Sequence, residues 1–454
     1  MAVAIAAPAP APIPIPAPNP VALAAPGPLP EPLSLNDLNP IPLFAPVVQD
    51  QLANLASQLA STTPTSTPKD IPDAVATLKG ILGPQPTGLL TNGLSFLQQG
   101  LQVSGTKGKT INSPDPPGQI NSFNQTNPQP SKVLFPKADA ADPPFQKSEQ
   151  ELRSAIFIPT NFVKGNNPVL LVPGTGAYGG STYEGNMIKI MAQDPSIGQA
   201  AWVNVPLAML DDVQTNAEHI AYAINYMADM TGQKVAVVGW SQGNLATQWA
   251  LKHWSSTRAN TKQLVSFSPD FHGTTIAALT DFPIISSIPV GPSLIQQKYD
   301  SNLVKTLRAD DGDSAYVPTT TIYSSSFDEI VQPQAGEGAS AFLKDARKVG
   351  VFNAELQRVC PNTPAGDFGT HESVMFNGLA TALVIDALKN GGPADPGRLD
   401  LKTVCQQLAH PALNVTDVQL TEGTIPLAAL NVVEFKKGVT DEPPIRDYAA
   451  KKRN

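Results

Sequence analysis

The chain is 454 residues long, 41% apolar and only 15% charged, enough to bury a large core over more than one ordinary domain. Its 38 acidic residues outnumber 30 basic ones, for a net charge of -8, which argues against a nucleic-acid partner. No apolar run is long enough to span a bilayer, so no transmembrane segment is expected.

Residues 1–47 hold 14 of the 46 prolines, much alanine, and no Lys or Arg. Such a stretch cannot build a core and reads as a low-complexity, polyproline-like arm. Its start, Met1-Ala-Val-Ala-Ile-Ala-Ala, lacks a basic region, so no signal peptide is evident in it. Residues 48–144 read as a small helical region and a proline-rich linker. Leu52, Leu55 and Leu59 share one helical face, as do Val75, Leu78 and Ile81. Pro64, Pro68, Pro72, Pro84 and Pro86 keep these helices short. The region is expected either to pack on the main domain, covering part of it, or to act as a linker with transient helices. Gly105 to Pro144 reads as a long polar surface loop. Two motifs here lead nowhere. Ser104-Gly-Thr-Lys107 lies in a loop instead of at a helix start, and Gly108-Lys-Thr110 has Val103 where a phosphate loop needs its first glycine.

Residues 145–454 read as the main domain. Val169-Leu-Leu-Val172, Trp202-Val-Asn-Val205, Gln263 to Ser268 and Thr319 to Ser324 are β-branched or apolar runs of strand length. Asp212 to Met230 is an amphipathic helix with Ile220, Ile224 and Met227 inward. Alternating strands and helices predict an α/β fold, a mostly parallel sheet with helices on both faces. Ligands of such sheets bind beyond the carboxyl ends of the strands.

One stretch fits a nucleophile elbow. The strand Val235–Val238 runs into Gly239-Trp-Ser-Gln-Gly243, and Leu245, Ala246, Trp249 and Ala250 then follow at helical spacing. Gly239 and Gly243 let strand and helix approach closely, and Ser241 is lifted above the helix N-terminus. A serine hydroxyl needs a base, usually a histidine held by a carboxylate, in the chain order Ser, acid, His. Of five histidines, His219 precedes Ser241, while His253 and His272 follow it too closely. His371 sits in a polar glycine-containing loop and His410 among apolar residues, so His371 is the expected base. The acid should follow the Thr319–Ser324 strand, where Asp328 and Glu329 are adjacent; Asp328 comes first after the turn. One oxyanion donor should be the N–H of Gln242, and the other should come from Val172-Pro-Gly-Thr-Gly176, with Thr175 offering N–H and hydroxyl. Asp310, Asp311 and Asp313 read as a solvated turn, because no spaced Glu completes a calcium loop, and no metal is expected.

At these residues the chain resembles the Candida antarctica lipase B family. The matching stretches are Leu170–Gly176, Trp240-Ser-Gln-Gly243, Ser268-Pro-Asp270 with Gly273-Thr274, and Tyr323-Ser with Asp328-Glu-Ile-Val-Gln-Pro-Gln334. They keep their order over roughly Phe145 to Leu413. The resemblance implies an α/β-hydrolase fold and a Ser241, Asp328, His371 triad, favouring Asp328 over Glu329. It makes Thr175 and Gln242 the oxyanion hole. It places Trp240 under the alcohol part of an ester, with Asp270 and Gln297 as polar lining. The chain departs from the family in its few cysteines, in Ala177 where the family has a hydroxyl residue, and in the helical region before Phe145. The apolar segment Ile276 to Ile295 would lie beside the site mouth, as a lid or acyl-chain surface, or as a buried helix pair.

The expected function is hydrolysis of carboxylic esters without metal or cofactor, in the manner of a lipase. Alternatives are an esterase or transacylase for short or polymeric esters, or a non-catalytic binding protein of the same fold. The partner is an ester or lipid substrate, and a monomer is expected. The two cysteines, Cys360 and Cys405, suit one disulfide in an oxidising compartment, or else two unrelated buried thiols. With the sequons Asn124-Gln-Thr and Asn414-Val-Thr they point to secretion.

Overall fold

A computed structural model describes residues 61–82, 89–102, 108–275 and 289–450, together with residues 54, 57 and 58. The proline-rich arm, the Leu52, Leu55 and Leu59 face, the Ser104–Lys107 motif and the apolar stretch 276–288 lie outside the described residues. The site is described by helices and strands numbered below in chain order. Helix α1, Ile71–Leu82, buries Ala74, Val75, Leu78 and Leu82. Leu82 takes the inward place expected of Ile81, which is only half-buried. Helix α2, Leu89–Gln98, follows and buries Phe96 and Leu97.

The polar stretch to Pro144 is not a simple surface loop. It opens with a small hairpin, β1 (Lys109–Thr110) against β2 (Ser113–Pro114). It then runs across the sheet, burying Asn121 and Ser122. The Ile120 carbonyl accepts hydrogen bonds from Trp202 Nε1 at 2.7 Å and Asn204 Nδ2 at 2.8 Å, and Asn121 Oδ1 accepts from Ser181 N at 2.6 Å. Asparagine side chains and backbone carbonyls satisfy one another here, which lets a polar segment be buried.

The central sheet has seven strands in the order β3-β5-β4-β6-β7-β8-β9. They are β3 (Ile156–Phe157), β4 (Pro168–Val172), β5 (Gln199–Val203), β6 (Val235–Trp240), β7 (Thr261–Phe267), β8 (Thr319–Tyr323) and β9 (Val351–Glu355). Only β3 pairs antiparallel; every other pair is parallel. Period-2 alternation splits each buried strand between two cores. Leu170, Val172, Val235 and Val237 face one core with Ile220, Ile224 and Met227 of helix α3 (Val213–Thr231) and Trp249 of helix α4 (Gln242–His253). Val169, Leu171, Ala236 and Val238 face the other, with helix α5 (Gly378–Asn390). Helices α6 (Val415–Glu422) and α7 (Thr424–Glu434) complete that second face. There α1 packs on α6 and α2 on α7, so the regions expected on either side of residue 145 pack together. Asp212 sets the start of α3 by accepting from Gln214 N, and Gly232, at φ 69, ends it.

Cys360 and Cys405 form a disulfide across 45 positions of sequence, closing a loop that contains His371 and α5. Loop entropy alone gives such a closure about 4 kcal/mol. A Cys360→Ser, Cys405→Ser variant is therefore expected to unfold with about 4 kcal/mol less stability than the parent in non-reducing urea titrations.

Candidate active site

Strand β6 ends in Trp240, and α4 begins one residue later. Ser241 fills the gap at φ 53, ψ -132, outside the ordinary regions for an L-residue. Such a conformation costs on the order of 1–3 kcal/mol and must be imposed by its neighbours. Two close approaches impose it. A Cβ on Gly243 would stand 2.5 Å from the Pro173 carbonyl oxygen. A Cβ on Gly174 would stand 2.8 Å from Ser241 Cβ and 2.7 Å from the Trp240 ring. The loop after β4 is thus pressed directly against Ser241.

The loop after β8 brings in Asp328. Its Oδ1 accepts from Ile330 N at 3.1 Å and Val331 N at 2.8 Å, which fixes the carboxylate. Both of its oxygens lie 3.2 Å from His371 Nδ1. An ionised carboxylate only accepts, so Nδ1 carries the proton and Nε2 keeps its lone pair. Nε2 is buried and has no hydrogen-bond partner. Trp240 ties this histidine to the elbow: its Nε1–H donates to the His371 carbonyl at 3.0 Å, and the two ring centroids are 5.2 Å apart. Glu329, beside Asp328, takes a different place and accepts from His371 N at 3.0 Å.

Electrostatics separates His371 from the other histidines. Burial opposes its charged form, but Asp328, with Glu329 and Asp270, outweighs burial and raises its pKa. Burial depresses the rest: His219 to about 4, His253 to about 3, His272 to about 4, and His410 by a smaller step. Asp270 is buried with neither carboxyl oxygen hydrogen-bonded, and burial pushes it up to about 7 against the pull of His371.

Thr175 stands in a chain of side chains. Asn216 Nδ2 donates to Gln242 Oε1, Gln242 Nε2 donates to Thr175 Oγ1, and Thr175 donates to Gln297 Oε1, each at 2.9 Å. Gln297 Nε2 closes the chain on the Ser293 carbonyl at 2.9 Å. Gly176 is clamped on both sides, its N–H on the Ala208 carbonyl and its carbonyl under Asn431 Nδ2, each at 2.8 Å. Ser241, Asp328, His371, Thr175, Gln242, Trp240, Asp270 and Gln297 thus share one neighbourhood. Asn124 and Asn414 are exposed elsewhere, Asn414 as the N-cap of α6. Sequence reasoning missed Asn216 and the contact of Glu329 with the His371 backbone. Asn216 carries no local signal, since an asparagine early in a helix reads as solvated.

No family model matches the chain. The chain is 37% identical over 199 residues to lipase B of Pseudozyma antarctica, a match covering 43% of this chain and 54% of that protein, about half its length. The fold superposes on the crystal structure of Aspergillus fumigatus lipase B with a TM-score of 0.79 and 38% identity, covering 92% of this chain and 98% of the other.

His371 can accept a proton at Nε2 only when neutral, so any His371-assisted reaction of Ser241 is expected to be lost as pH falls through the raised His371 pKa. Asp328→Asn removes the largest of the charges that raise it and leaves burial opposed only by Glu329 and Asp270. That variant is expected to shift the acid limb of the pH profile downward and to lower the rate by about ten-thousand-fold. Stopped-assay pH profiles of fluorophosphonate labelling test both effects.

Proposed function

Because the chain belongs to the lipase B family and has the α/β-hydrolase fold, we propose that it is a serine hydrolase of carboxylic esters, of the triacylglycerol lipase kind. The observation that carries this reading is the His371 imidazole, held at Nδ1 by Asp328, bare at Nε2, and tied to the residue before Ser241. In the proposed reaction Ser241 Oγ attacks the ester carbonyl and passes its proton to His371 Nε2. Asp328 stabilises the imidazolium. The oxyanion is met by the N–H groups of Gln242 and Thr175 and by the Thr175 hydroxyl, which turns away from Gln297. One such donor is worth about 3–4 kcal/mol in the transition state. His371 then protonates the leaving alcohol, and water repeats the sequence in reverse on the acyl-enzyme. Every proton transfer is supplied by these side chains, so the reading needs no metal or cofactor.

An esterase or transacylase acting on short or polymeric esters uses the same acyl-enzyme and differs only in the acyl chain and acceptor. The reading extends to a secreted monomer working at a lipid–water interface. The Cys360–Cys405 disulfide supports an oxidising compartment, and the exposed Asn124 and Asn414 sequons suit glycosylation there. No helix among the described residues is long and apolar enough to cross a membrane.

Ser241→Ala is expected to abolish fluorophosphonate labelling and to reduce hydrolysis of a p-nitrophenyl ester series to background. His371→Ala is expected to be about as severe, because triad members act as a unit, while His410→Ala stays near the parent rate. Full labelling of the Ser241 variant would refute the assignment.

A further inference from the structure

Three carboxyl groups with no part in the proposed chemistry lie behind His371. Glu329 neighbours Asp328, Glu372 neighbours His371, and Glu422 ends α6; all are fully buried. Two of their oxygens have fixed duties. Glu329 Oε2 accepts from His371 N at 3.0 Å, and Glu372 Oε1 accepts from the Thr370 hydroxyl at 2.7 Å. The other four, Glu329 Oε1, Glu372 Oε2 and both oxygens of Glu422, receive no N–H or hydroxyl donor. Yet Glu372 lies within hydrogen-bond reach of both Glu422 and Glu329. Two carboxylates cannot hydrogen-bond each other; one must carry a proton. Stripped of protons, the trio would be three buried like charges in contact, which no protein environment leaves uncompensated.

Among the surrounding charges only His371 opposes this, through Glu329. Glu422 feels Glu372 and Glu329, and Glu329 feels Glu372, Asp328 and His371. The other titratable groups on elements packed against α6 are directed elsewhere. Lys79 of α1 pairs with Asp367, and Asp73 accepts from Lys69 N. Tyr183 bonds the Val172 carbonyl, and Glu434 of α7 acts on Tyr178. Asp417 of α6 itself pairs with Lys189.

We propose that Glu422, Glu372 and Glu329 are positioning residues that hold His371 in place by sharing protons, and that their ionisation sets the alkaline limit of the reaction. The proposal rests on the serine-hydrolase reading of Ser241. Its route is short. Glu329 grips the His371 N–H, Glu372 is joined to His371 by one peptide bond, and Glu422 anchors both to the C-terminal helices. Repulsion among them pulls the imidazole off Asp328 and away from Ser241. Burial raises all three pKa values, with repulsion adding for Glu329 and Glu372; Glu422 is pushed up to about 8 by burial, against its hydrogen bond with Glu372 and helped by repulsion from Glu329. The folded chain therefore binds protons that the unfolded chain has already lost. The stability tied to them is intact below the ordinary glutamate pKa and is withdrawn as pH rises through about 8.

The test compares the parent with Glu422→Gln and Glu372→Gln, which keep shape and hydrogen bonding but cannot ionise. The measurements are kcat and KM on p-nitrophenyl butyrate, and Tm, each across pH. The alkaline midpoint of kcat is expected to rise by about one pH unit or more in each variant, with KM and the acid limb unmoved. The fall of Tm between about pH 6 and 9 should flatten in parallel. Alkaline limbs of both variants that superpose on the parent would overturn the proposal. If the parent neither hydrolyses esters nor labels with fluorophosphonate, the hydrolase reading fails. The Tm profiles then decide the cluster by themselves: a parental decline that Glu422→Gln leaves unchanged overturns it, and a flattened one upholds proton sharing.

Discussion

A backbone conformation that serine does not adopt by itself organises the centre of this molecule. Ser241 at φ 53 sits in a crowded turn: the carbonyls of Val172 and Pro173 leave no room for a Cβ on Gly243, and Ser241 itself leaves none on Gly174. That crowding exists only because β4 and β6 are hydrogen-bonded neighbours in register, Val172 opposite Gly239. The parallel sheet thus sets where two loops emerge, and the loops hold Ser241 at the turn between β6 and α4, where it stays buried. The strain is offset by the two cores on either side of the sheet, where each fully buried valine or leucine side chain contributes on the order of 1.5–3 kcal/mol.

From that point outward, each site residue is fixed by a partner of a different element. Trp240 of β6 holds the carbonyl of His371, the loop after β8 holds its imidazole through Asp328, and Asn216 of α3 steadies Gln242 at the start of α4. Asn431 of α7 holds the carbonyl of Gly176. Most of these contacts are made by buried, hydrogen-bonded groups, whereas Asp270 and His371 Nε2 are left bare. The carboxyl trio is a further exception, because its members satisfy one another only while protonated.

Much of this was legible in the amino-acid sequence, for identifiable reasons. Val169–Val172 and Val235–Val238 are buried on both faces, so they read as continuous apolar runs. Edge strand β9, Val-Phe-Asn-Ala-Glu, escaped notice because it is half-buried and carries Asn353, whose amide oxygen accepts from the Thr321 hydroxyl. Strand β3 is two residues long and has no periodicity to detect. Ser241 stood out by its flanking strand and helix, and His371 by its place in the chain. The adjacent Asp328 and Glu329 differ in a way that local sequence does not encode: one faces the imidazole, the other the backbone of the same histidine. Glu422 ends a helix with little apolar content, and only the tertiary fold buries it.

The packing of α2 on α7 has a consequence for how the chain acquires this site. Residues near 95 and near 430 are contact partners across more than 300 positions, and Ile111 N donates to Asn431 across 320. The same Asn431 clamps the loop that carries Thr175. During synthesis α1 and α2 emerge early with bare apolar faces and must wait for α6 and α7 before those faces are covered. Closing so long a loop carries a large entropic cost, and the clamp on the Gly176 carbonyl forms only when it is closed. A ribosome-bound chain stopped short of α7 would carry the whole central sheet and Ser241 yet lack the Asn431 clamp on the loop that carries Thr175.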